Sequence, residues 1–106
     1  MYTPRGSRVF KDEMAARVRD ALGPGFTPLD CPLYVEIDVV LEKPRSVRRN
    51  LPTVKPDLDN YEKAIMDACT AAGLWRDDCL VVTKLSRKRY GSPSVRIAVR
   101  PHLTDE

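Results

Sequence analysis

Leu33, Val35, Ile37, Val39 and Leu41 alternate with Tyr34, Glu36, Asp38, Val40 and Glu42, a period of two that an extended strand with one face on a core satisfies. A helix would scatter the same apolar residues around its axis. From about Asp59 to Ala72 the period changes, with Ala64, Ile65, Ala68, Cys69 and Ala72 on one helical stripe and Gly73 just past its end. Val9 to Leu22 has the same helical spacing through Phe10, Met14, Val18 and Ala21/Leu22. Thr3-Pro4 or Ser7 is its candidate start, and Gly23-Pro24-Gly25 its stop. Leu80 to Lys88 and Ser94 to Arg100 read as strands on either side of the turn Tyr90-Gly91-Ser92-Pro93. The order helix, strand, loop, helix, strand, strand predicts an α+β fold, a small mixed β-sheet packed with two main α-helices.

At 106 residues the whole chain, 1–106, is expected to be a single domain, burying roughly 60 to 70% of the surface of the open chain. A net charge of +3 and 42% hydrophobic residues exclude a highly charged disordered tail. No stretch approaches the roughly 18 apolar residues of a membrane span, and no signal-peptide run opens the chain, so the cytoplasm is the expected compartment. Cys31, Cys69 and Cys79 show no Cys-x-x-Cys spacing and are expected to be reduced packing residues. His102, alone in a polar tail, reads as a solvated side chain rather than a metal ligand.

The run KPDLDNYEK, Lys55 to Lys63, sets two aspartates at the mouth of the second helix, where one would cap it. Asp59 with Glu62 fits a capping-box-like spacing. If Lys55 to Asp59 is extended, Asp57 and Asp59 project to one side. Carboxylates about 4 Å apart repel by roughly 4 kcal/mol at an effective dielectric of 20, so a cation between them is expected. A second pair, Asp77-Asp78, precedes the apolar run Cys79 to Val82. It is either a turn pair or the other half of a metal site brought back by the returning chain. Magnesium, with manganese as a substitute, suits such oxygen donors. Lys63, one turn after Asp59, either forms an i,i+4 ion pair or places a cation beside a scissile phosphate. Asp67 reads as a structural hydrogen-bonding partner.

Cations flank this acidic set. Lys43, Arg45, Arg48, Arg49 and Lys55 lie in an acid-free, proline-containing segment expected to be a loop, and Lys84, Arg87, Lys88 and Arg89 follow the second pair. Basic segments around clustered aspartates suit a nucleic-acid backbone held by cations. Tyr90 and Trp75 are candidates for stacking on bases, although a Trp between a helix and a strand usually belongs to the core.

The stretch KPDLDNYEKAIMDACTAAGLWRDDCLVVTKLSRKRYG, Lys55 to Gly91, resembles the RusA-type Holliday junction resolvases, a family common in phages and prophages. It covers about a third of the chain. Asp-x-Asp-Asn, a Lys three residues later, an Asp-Ala helix and an Asp-Asp pair ahead of a basic strand form the specific combination. The resemblance implies a homodimeric, magnesium-dependent endonuclease that resolves four-way DNA junctions by paired symmetric nicks in DNA recombination and repair, associated with the nucleoid of a bacterial or phage-infected cell. It further implies that Asp57, Asp59 and Asp78 hold the metal, that Lys63 is the catalytic lysine, and that Asp77 is a neighbour rather than a principal ligand. Family members usually begin with a strand ahead of the Thr-Pro; here Met1-Tyr2-Thr3-Pro4 opens the chain, and that strand is expected to be absent. Two alternatives remain: a non-catalytic DNA-binding module, and a structure-selective nuclease acting on flaps, RNA or other branched substrates.

Overall fold

A computed structural model describes residues 4–102, with side chains from residue 8 onward, so Thr3 and the Ser7 side chain lie outside the described residues. The elements are α1 (Pro4–Leu22), β1 (Leu33–Leu41), α2 (Leu58–Ala72), a short 3₁₀ turn (Asp78–Leu80), β2 (Val81–Tyr90) and β3 (Ser94–Pro101). Two helices with a three-stranded mixed sheet make an α+β arrangement, as the periodicities require. Among the described residues no helix is long and apolar enough to cross a membrane.

β1 lies at the centre of the sheet, parallel to β2 and antiparallel to β3. Its alternation works as a one-faced strand should: Leu33, Val35, Ile37 and Val39 are at most 2% exposed and pack with Ile65, Met66 and Cys69 of α2. β2 and β3 follow each other through a short turn yet form no hairpin, because they flank β1 on opposite sides. At that crossing the Gly91 amide donates to the Leu41 carbonyl at 2.9 Å. A Cβ on Gly91 would stand 3.0 Å from Val40 Cγ1, so glycine gives the clearance this passage needs.

α2 ends where its apolar stripe does. Gly73 takes the left-handed conformation at φ 82, and the Leu74 amide reaches back to the Cys69 carbonyl at 3.0 Å, a closure that glycine permits without steric cost. Leu74 and Trp75 are then buried. The Trp75 indole N–H donates to Thr70 Oγ1 at 2.7 Å, which satisfies its only polar group. Trp75 is therefore a core residue rather than a stacking platform. Cys69 is buried as expected, with its thiol pushed up to about 12 by burial, and Cys31 is half-buried. Cys79 is exposed, contrary to the packing role expected of it, because it lies in the 3₁₀ turn and not in the strand. His102 is half-buried, with its amide bonded to the Pro32 carbonyl at 2.9 Å.

The sheet face opposite α2 is rich in charged side chains, with the apolar Val40 and Leu85 among them. Asp38, 7% exposed, accepts hydrogen bonds from Arg87 Nε and Nη2 and lies 4.0 Å from Arg89 Nε. Arg100 sits 4.2 Å over the Tyr34 ring, and the Tyr34 hydroxyl donates to Glu36 at 2.9 Å. The Arg87 hydrogen bond, joined by the charges of Arg87, Arg89 and Arg96, holds the Asp38 carboxyl below the usual aspartate range despite the cost of burial. Because the folded value is depressed, this stabilisation is present above the ordinary aspartate range and is lost as pH falls through the folded value. Replacing Asp38 with Asn is expected to cost about 1 kcal/mol at neutral pH, kept small by solvent around the half-exposed Arg87. Urea unfolding at several pH values checks this: the gap from wild type should close below about pH 4, and a gap independent of pH would refute it.

Candidate active site

Asp57 occupies the N-cap of α2 with extended backbone at φ −65 and ψ 154, and its side chain accepts no helix N–H. Its carbonyl does the local work instead, accepting from the Asn60 amide at 3.1 Å and the Tyr61 amide at 3.3 Å. The capping box expected from Asp59 and Glu62 does not form. Glu62 turns to the sheet, where Lys84 Nζ lies 2.6 Å away and the Ser86 hydroxyl donates to it. Burial pushes the Glu62 carboxyl up, but the hydrogen bonds from Lys84 and Ser86 and the Lys84 charge outweigh this and hold it low. Asp57 and Asp59 thus remain exposed anions at the helix mouth, with no capping duty for the Asp57 carboxylate.

The second acidic pair divides its work. Asp77, extended, accepts from the Cys79 amide at 2.9 Å and so caps the 3₁₀ turn. Asp78 is left to face α2. A cleft of about 410 Å³ between α2 and the start of β2 is lined by Asp78, Glu62, Lys63, Asp67, Met66 and Lys84, among others. A hydrogen bond with Asp77, then burial and the charges of Asp77 and Asp67, push the Asp78 carboxyl above its usual range. The Cys79 hydrogen bonds hold Asp77 below its own. A larger hollow, about 990 Å³, opens between α1 and the sheet. Its lining is chiefly apolar, including Phe10, Met14, Ile97 and Val99, and holds no cluster of acids.

The structure therefore brings Asp78 to Lys63 and Asp67, near the middle of α2. Asp57 and Asp59 do not line that cleft; eight residues of helix, about 12 Å of rise, separate Asp59 from Asp67. Lys63 lies between them on the same helical face, exposed and without an ion pair among the described residues. Among the described residues no group of three or more His, Cys, Asp or Glu side chains could by itself hold a metal ion. Magnesium, however, is commonly held through one or two carboxylates, with water and phosphate oxygens completing its shell. Asp67 and Asp78 share the cleft and could supply such a pair, whereas Asp57 and Asp59 do not line it, so the expected set of Asp57, Asp59 and Asp78 is not gathered into one cluster among the described residues. Asp67 lines this cleft and makes no side-chain hydrogen bond among the described residues, contrary to the structural hydrogen-bonding role expected of it.

The cations separate into distinct groups. Lys43, Arg45, Arg48, Arg49 and Lys55 are exposed in the loop between β1 and α2, where Arg49 makes one hydrogen bond, to Thr53 at 3.3 Å. Arg87 and Arg89 sit on the sheet face away from α2, held at Asp38. Arg96 and Arg100 share that face through the β3 register, a placement signalled by their alternation with Val95, Ile97 and Val99. Lys84 is engaged by Glu62, and Lys88 donates to the carbonyls of Val54 at 2.8 Å and Pro56 at 3.0 Å. Tyr90 is half-buried, with its hydroxyl enclosed and unpartnered, a placement unsuited to stacking on a base.

A family profile described as Endodeoxyribonuclease RusA matches residues 1–100. A curated relative named crossover junction endodeoxyribonuclease RusA, from Escherichia coli, is 33% identical over 75 residues, which cover 71% of this chain and 53% of the relative. Its counterpart from another Escherichia coli strain is 35% identical over 77 residues, with 71% and 53% covered. The chain thus spans about half the length of the curated relatives it matches.

Proposed function

The chain belongs to the RusA endodeoxyribonuclease family, and on that premise we propose that it is a magnesium-dependent endonuclease that resolves four-way DNA junctions by paired nicks. The observation that carries this reading is the meeting of Lys63, Asp67 and Asp78 in one cleft, beside a helix mouth whose Asp57 side chain is spared from capping. Capping does not account for the Asp57 carboxylate, which accepts no helix N–H.

In this reading the loop cations, Arg48 and Arg49 among them, hold the DNA backbone, and the Lys63 ammonium binds the scissile phosphate and offsets charge as water adds to phosphorus and the P–O bond to the leaving oxygen breaks. Asp78, Asp57 and Asp59 supply the negative field that draws a divalent ion to that phosphate, with Asp67 adding to it. The chemistry such an ion supplies is Lewis-acid activation of the phosphodiester and relief of charge on the leaving oxygen. A four-way junction has two-fold symmetry, so a two-fold homodimer would present one cleft to each of two opposed strands. This places the protein in DNA recombination and repair.

Labelled four-way junction, flap and plain duplex, each with magnesium, test the assignment. Wild type should place symmetric nicks in the junction, and Asp59→Asn should bind it yet cut at least about 100-fold more slowly. Equal cutting of flap and junction would replace the resolvase with a generic structure-selective nuclease. Tight binding without cutting by either protein would leave a DNA-binding module.

A further inference from the structure

Lys84, Ser86 and Lys88 alternate along β2 on the side that faces α2, where a strand packed on a helix would ordinarily carry apolar residues. Each is engaged by the segment that bears the acidic motif. Lys84 and Ser86 bind Glu62, and Lys88 binds two carbonyls, Val54 at 2.8 Å and Pro56 at 3.0 Å. Residues 54–56 belong to no helix or strand, and Asp57 follows directly. Lys88 is half-buried, and two of its three ammonium donors are committed to those carbonyls.

We propose that Lys88 is a positioning residue: it fixes the backbone ahead of α2 on the sheet and thereby sets where the Asp57 and Asp59 carboxylates stand relative to the cleft. It is not one of the cations that hold DNA phosphate. An ammonium between two carbonyls makes charge-assisted hydrogen bonds that a surface lysine reaching for phosphate would have to break. No other side-chain hydrogen bond among the described residues ties Val54 or Pro56 to the sheet. The consequence for metal and cleavage rests on the nuclease reading above; the brace itself does not.

Lys88→Met and Lys88→Arg separate the two. Amide exchange of the protein alone, without metal or DNA, should quicken about tenfold at Asn60 and Tyr61, whose amides bond the Asp57 carbonyl, in Lys88→Met, with β1 amides unchanged, because local opening follows the contacts that close a segment. In nicking assays at saturating junction the magnesium midpoint should rise about tenfold, as when a group that orients metal ligands is lost. The salt dependence of junction binding should keep its slope, since no phosphate contact is removed. Lys88→Arg, which keeps a charged donor, should recover part of both effects. Unchanged exchange at Asn60 and Tyr61, with a salt slope flattened by about one unit, would overturn the proposal and make Lys88 a phosphate contact. If Lys88→Met lowers β1 protection as well, Lys88→Arg decides: slower exchange at Asn60 and Tyr61 than in Lys88→Met supports the brace, and exchange as fast as in Lys88→Met overturns it. Should wild type cut no junction while Lys88→Met still frees these amides, the brace stands and the nuclease assignment falls.

Discussion

Asp78→Asn should reduce junction nicking by at least about 100-fold, since losing a carboxylate that would draw the divalent ion to the reacting phosphate removes several kcal/mol of transition-state stabilisation and about 1.4 kcal/mol is tenfold. Junction binding should be unchanged or tighter, because an anion near phosphate has been removed. Asn keeps the shape of Asp, and Asp78 gives no cap to the 3₁₀ turn, which is the duty of Asp77. The variant should therefore fold as wild type does. Asp77→Asn supplies the contrast: its amide oxygen can still accept from the Cys79 amide, so the turn and most of the nicking should survive. Gel-shift and nicking assays on one junction check both, and equal loss of binding and cutting in Asp78→Asn would argue that the residue is structural.

Trp75→Ala should come close to unfolding the protein. The indole is 1% exposed, joins the core beside Leu33 and Cys69, and is flanked by backbone bonds from Leu29 to Leu74 and from Arg76 to Leu29, each 3.0 Å. Truncating a buried Trp costs about 3 to 5 kcal/mol, against a total stability of about 5 to 15 kcal/mol for a domain. Trp75→Phe should cost much less, since it keeps most of the apolar volume and gives up the indole bond to Thr70, a loss of about 1 kcal/mol. Urea denaturation followed by circular dichroism gives both values; a Trp75→Ala variant within 1 kcal/mol of wild type would contradict the core role.

Local pattern made the elements legible and left their partners hidden. The alternation over Leu33–Leu41 matches β1, and the stripe ending at Gly73 matches α2, because burial of one face imposes its period on the sequence. That β2 and β3 flank β1 was not legible: a turn such as Tyr90 to Pro93 does not state which neighbours its strands choose. β2 itself shows why. Its α2-facing residues are Lys84, Ser86 and Lys88, which look solvated in sequence but find partners in Glu62 and in two carbonyls far away along the chain. The same kind of distant partner explains Glu62, where the three-residue spacing from Asp59 suggested a cap and Lys84 took the carboxylate instead. At the site, the helix period made the face shared by Asp59 and Lys63 legible, whereas Asp78 stood out from Asp77 only through the family resemblance and Asp67 was expected to be structural. The work of Asp77 in capping the turn, which frees Asp78 and exposes Cys79, became visible only in three dimensions.

In the proposed function, carboxylates distant in sequence draw one divalent ion to the side of α2 that carries Lys63. Manganese titrated into isotopically labelled protein tests it most directly, because a bound paramagnetic ion broadens nearby amide resonances. The account predicts that residues around Asp57 to Lys63 and around Asp77 to Leu80 broaden together at the same manganese concentration, and that Asp78→Asn weakens the effect at both. Broadening confined to one segment, or centred on the Asp38 face of the sheet, would contradict it.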